Sequence, residues 1–183
     1  MKKQTSVVTK QSFPRRLCYS AVCLALCIVL PFLTGQMQQM GNALCPMHIP
    51  VFLAGFLCGP IWAACVGAVA PLLRYALFGM PPLYPIGAAM SFELLFYGLV
   101  SGLVYARLPK NTSGIYISLI AAMLAGRAVW GAVRLAFAGV SGGEFTWAMF
   151  VSGAFVTAIP GIIVHIVLIP LLVMAFRKAG VCS

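Results

Sequence analysis

Apolar residues in this chain gather into long uninterrupted runs instead of alternating with polar ones. Runs of about 20 residues predict helices that cross a bilayer, whereas the strands of a membrane barrel would alternate at every second position. The first run covers 17–33 and closes around Pro31. A polar but uncharged loop, TGQMQQMGNALCPM, fills 34–47. A 30-residue apolar block follows at 49–78, interrupted by Gly59-Pro60. Later runs cover 84–106, 115–138 and 146–176, separated by RLPKNTSG and AGVSGGEF.

The long block is ambiguous. As one helix it would reach about 45 Å, against a hydrocarbon core of about 30 Å. It is therefore either one broken crossing or two crossings around a tight turn. Charge decides between them. With two crossings, six segments and an internal N-terminus, the cytoplasmic side holds Lys2, Lys3, Lys10, Arg15, Arg16, Arg107, Lys110, Arg177 and Lys178, nine of the 12 basic residues. With one crossing, the last four of these would be external. The excess of cytoplasmic Lys and Arg favours six segments with both termini inside. The short second segment, 49–58, must then be shielded by protein or line a cavity.

Composition agrees. The chain is 62% hydrophobic and 8% charged, where soluble domains carry about 25% charge. The predicted fold is an all-α integral membrane protein: a basic tail (1–16), one six-helix domain (17–178) and a short C-terminal tail (179–183). There is no room for a separate soluble domain. The net charge of +10 does not indicate nucleic acid, because the basic residues cluster at segment ends. The N-terminal stretch is like a signal peptide, but TGQMQQ offers no small-x-small cleavage site, so a retained first helix is expected. The seven cysteines form no CxxC pair and read as small hydrophobes; no disulfide framework or metal site is expected. His48 and His165 lack ligand spacing, and His165 reads as a residue satisfying a local hydrogen bond.

Four charges remain inside the runs: Arg74, Glu93, Arg127 and Arg134. Each costs about 2.5–3.5 kcal/mol at mid-bilayer. Glu93 and Arg127 fall near the midplane by helical rise, and a Glu93–Arg127 pair is one reading. Arg134 lies seven residues beyond Arg127 and returns to nearly the same face, with Trp130 between. Glu144 sits in an outer loop and could fold back to Arg134, while Arg74 could reach the outer surface. Three arginines against one glutamate otherwise imply an outward-facing cavity with surplus positive charge, suited to a carboxylate or phosphate. Trp130 could stack on a flat ring. Tyr84 and Trp147 fit the rim, although both residue types are ordinary at interfaces. Small residues four apart recur at Ala21/Ala25, Gly55/Gly59, Ala63/Gly67, Ala64/Ala68, Gly98/Gly102 and Ala122/Gly126, as close helix contacts require.

Over residues 15–178 the chain resembles the substrate-binding S components of energy-coupling factor (ECF) vitamin transporters. The resemblance is carried by HIPVFLAGFLCGPIWAACVGAVAPLLRYALFGMPPLYPIGAAMSFELLFYGLVSGLVY (48–105), LAGRAVWG (124–131) and IPGIIVHIVLIPLL (159–172). It implies a non-enzymatic subunit of the bacterial plasma membrane that captures a vitamin or related micronutrient from outside. The implied partners are a transmembrane T component and two ABC-type ATPases, which use the ATP; no cofactor belongs to this chain. It further implies docking through Ala21 and Ala25, and substrate contacts from Asn42, Glu93, Arg127, Trp130 and Arg134, to which charge adds Arg74. Surplus arginine favours a small carboxylate such as pantothenate or nicotinate, with cobalamin or a thiamine precursor as alternatives. No phosphate-binding GxxxxGK[ST] loop is present and the chain has no Asp, so an ATPase or Ser-His-Asp enzyme is not expected. Acid–base groups are not expected to converge, which argues against a small membrane enzyme, and a net positive interior argues against a cation channel.

Overall fold

The computed structural model describes residues 12–34, 43–142 and 144–181. Among these every regular element is helical: α1 (Phe13–Val29), extended by a 3₁₀ turn over Leu30–Thr34; α2 (His48–Leu57); α3 (Pro60–Phe78); α4 (Ala88–Arg107), entered through a wide π-turn at Leu83–Gly87; α5 (Thr112–Ser141); α6 (Trp147–Val151); a second π-turn at Ser152–Val156; and α7 (Ile159–Lys178). Five apolar stretches are long enough to cross a membrane. The protein is an all-α, multi-pass membrane bundle.

The 49–78 block is two helices, divided at Gly59. This residue has φ +95°, where a side chain would be strained. Pro60 follows in the first turn of α3, where its missing N–H costs nothing. At 10 residues, α2 reaches only about 15 Å. It is shielded as its length demands, with every residue from Pro50 to Phe56 buried.

Three boundaries differ from the sequence expectation. The helix α1 begins at Phe13, with Pro14 in its first turn, so Arg15 and Arg16 are helical. The helix α5 runs past 115–138 at both ends. The Asn111 side chain accepts a hydrogen bond from the Gly114 amide at 2.7 Å, and Gly142 closes the other end at φ +69°. The last segment is interrupted by the π-turn rather than continuous from 146 to 176.

The basic helix ends share one side of the bundle. Phe13 and Trp62 stack edge-on at 5.4 Å, Gly102 abuts Gly59 and Pro60, and Thr112 meets Met174 at 3.9 Å. These contacts bring the starts of α1, α3 and α5 beside the ends of α4 and α7.

Close helix crossings use the small residues. In α3 and α4, Gly59, Ala63 and Gly67 run antiparallel to Gly102, Gly98 and Leu94. A methyl group on Gly67 would meet the Leu94 carbonyl, and one on Gly98 the Ala63 carbonyl. Gly55 of α2 faces Ser101, and Gly126 of α5 faces the Tyr97 ring. Four of the six small-residue pairs thus contribute a glycine to internal packing. By contrast, Ala21 and Ala25 lie on an exposed face of α1.

Candidate ligand chamber

The end of the bundle away from the basic helix ends holds a cavity of about 590 Å³. Its walls come from the start of α2, the first half of α4, the second half of α5, and the α6 segment with its π-turn.

Glu93 organises the deep wall. Its Oε1 forms an ion pair with Arg127 Nη1 at 3.0 Å and accepts a hydrogen bond from the Tyr97 hydroxyl at 2.8 Å. Tyr97 stands one helical turn further along α4. Because Gly126 carries no side chain, the Tyr97 ring packs directly against α5 next to Arg127. His48 Nε2 is 3.8 Å from the same Glu93 oxygen, beyond hydrogen-bond range. The His48 ring stacks on His165 at 5.8 Å. His165 Nε2 lies 3.3 Å from the Cys45 carbonyl, an arrangement that requires the hydrogen on Nε2.

The face of α5 above this wall continues with Trp130 and Arg134. The Arg134 guanidinium lies 5.9 Å from the Trp130 ring centre and 5.6 Å from that of Phe145. Met90, Ile86, Ala148 and Met149 complete the sides, with Ser152, Gly153 and Thr157 around the π-turn. A helix that widens for one turn brings small and hydroxylated residues to the chamber, although the Thr157 hydroxyl itself returns to the Ser152 carbonyl at 3.0 Å.

Several polar atoms here make no hydrogen bond among the described residues: Nδ1 and Nε2 of His48, Nε of Arg127 and Nε of Arg134. Buried polar atoms are normally satisfied, so four without a hydrogen bond around one cavity make it the candidate ligand site.

The structure therefore brings Glu93, Arg127, Trp130 and Arg134 together. It does not bring Arg74, which charge alone had added to the set. Arg74 Nη1 donates to the Ile28 carbonyl at 3.0 Å, and its guanidinium lies over Phe32 and Phe78. The reason is positional: α3 faces α1 there, and the last carbonyls of a helix attract a cation. Asn42 lies outside the described residues. Glu144 forms no ion pair with Arg134, although both border a small recess of about 150 Å³. Tyr84 donates to the Phe137 carbonyl at 3.3 Å, and Trp147 borders an adjacent apolar groove with Phe150.

Convergence of acid–base groups was not expected, yet Glu93, His48, Tyr97 and His165 cluster. The short α2 starts at the depth of Glu93 and carries His48 to it. Two signals pointed that way in the sequence: an ionisable residue at the edge of an apolar run, and a tyrosine four residues after Glu93.

Fold and site together define a multi-pass helical membrane protein with a charged, ligand-sized chamber. The family described as ECF transporter, substrate-specific component, matches residues 15–173, and the chain belongs to it. Comparison with curated proteins and with solved structures gave no match. The protein is thus the substrate-specific subunit of an ECF transporter, a family of transporter subunits rather than of enzymes.

Proposed function

We propose that the chamber captures one small monoanionic nutrient from outside a bacterial plasma membrane, a carboxylate vitamin of the pantothenate or nicotinate type. The observation that carries this reading is the charge balance. Glu93 and Arg127 neutralise each other at 3.0 Å, which leaves Arg134 as the unmatched guanidinium at the cavity. Its buried Nε has no protein partner, and a carboxylate is the natural complement of such a fork. The volume of about 590 Å³ falls in the usual range for small-molecule sites. It favours a small ligand over a corrinoid with a nucleotide tail.

Delivery follows by docking on the T component, with ATP used by the two partner ATPases. The exposed Ala21 and Ala25 offer the close approach such docking needs.

Mass spectrometry of small molecules that co-purify with the protein in detergent tests the substrate class. A single carboxylate-bearing compound at one per chain is expected, and a neutral or cationic compound overturns the reading. Arg134→Ala is expected to weaken binding of that compound more than tenfold and leave the melting temperature nearly unchanged, because no ion pair is lost. Ala21→Trp or Ala25→Trp is expected to reduce uptake in cells and leave binding by the isolated subunit intact. Unchanged uptake removes the docking assignment.

A further inference from the structure

The unpartnered polar atoms of the chamber fall into two groups rather than one. At the deep end, neither His48 ring nitrogen nor Arg127 Nε makes a hydrogen bond, although His48 Nε2 lies 3.8 Å from Glu93. At the other end stands Arg134 Nε. Seven residues of α5 separate the two arginines, an axial distance of about 10 Å. Between the two groups the wall is largely apolar, formed by Trp130, Met90 and Ile86.

From this spacing we infer that the ligand is two-ended: a carboxylate held by Arg134 and, about 10 Å away, an amide- or urea-type head held by His48 and Arg127. The inference rests on the monoanion reading above and adds shape and a second functional group to it. The head is specified by the donors present. Arg127 Nε–H needs an acceptor, and the His48 ring adds a donor or acceptor nitrogen of its own. A carboxamide or urea supplies both complements, whereas a second carboxylate would be repelled by the nearby Glu93. The middle of the ligand is apolar or flat, matching Trp130. His48 is thereby a specificity-determining residue, and a compact acid would reach only one of the two groups.

The test is calorimetry of the purified subunit in detergent with straight-chain ω-carboxamido carboxylates of increasing length. Affinity is expected to peak where the two ends lie about 10 Å apart, about tenfold or more above members half that long. The methyl ester of the best member is expected to bind at least about tenfold more weakly. His48→Phe, which keeps the ring stack and drops the hydrogen bonds, is expected to flatten the length optimum. His48→Asn is expected to restore part of it, and melting curves of both variants report on folding. Equal binding of acid and ester overturns the monoanion reading itself. A preference for the acid without a length optimum, or an optimum that His48→Phe leaves in place, overturns the two-ended ligand alone. No binding by any member at millimolar concentration overturns it as well.

Discussion

Glu93→Leu is expected to destabilise the bundle by about 3–5 kcal/mol, because it strands the Arg127 guanidinium in a buried site. Glu93 is 3% exposed and Arg127 8%, so a stranded charge would face little water beyond what the chamber holds. Arg127→Leu is expected to cost a similar amount for the opposite reason, since the carboxylate keeps the Tyr97 hydroxyl and a His48 ring nitrogen 3.8 Å away but no permanent cation. The double variant Glu93→Leu/Arg127→Leu is expected to regain most of the loss, because isosteric apolar pairs often match buried ion pairs in stability. Thermal melting in detergent, followed by gel filtration, reads all three. If the double variant is as unstable as the two single losses added together, the pair is not coupled and the deep wall is held by something else. If it melts like the parent protein, its ligand affinity can be measured cleanly. The Arg127 contact with the ligand is then expected to appear as a loss of about tenfold.

Gly98→Val is expected to be at least as damaging, for a steric reason. The added carbons would enter the backbone of Ala63, and backbone cannot rotate away as a flexible side chain can. Overpacking of ordinary cores costs about 1–3 kcal/mol, and a wedge between two backbones exceeds this range. The helices α3 and α4 should separate, and Glu93 on α4 would lose its registration with Arg127 on α5. Loss of monodisperse folded protein, measured by size exclusion after extraction, is the expected outcome. Gly139→Val serves as a control, because a side chain there meets nothing within 4 Å. Equal tolerance of both substitutions contradicts the close α3–α4 crossing.

Much of this architecture was readable from residue pattern alone. The Gly59-Pro60 break, the shielding of α2 and the shared face of Arg127, Trp130 and Arg134 all follow from helix geometry and the cost of charge in hydrocarbon. The Glu93–Arg127 pair was legible for the same reason, since two opposite charges near one depth attract each other. Other features depended on tertiary placement. Nothing local to Arg74 says that its partner is a carbonyl 46 residues away. The stacking of His48 on His165 joins residues 117 positions apart in sequence, so spacing carried no trace of it. The π-turn at Ser152–Val156 escaped because SGAFV reads as helix by composition, and only the extra residue in the turn differs.

Arg74, set aside as a binding residue, has a mechanical consequence. Its guanidinium fastens the Ile28 carbonyl near the end of α1 to α3, while Phe13 and Trp62 meet at the opposite end of the same two helices. Tied at both extremities, α1 is expected to resist sliding along its neighbour. A displacement of α1 would therefore carry α3 along with it instead of shearing the two apart.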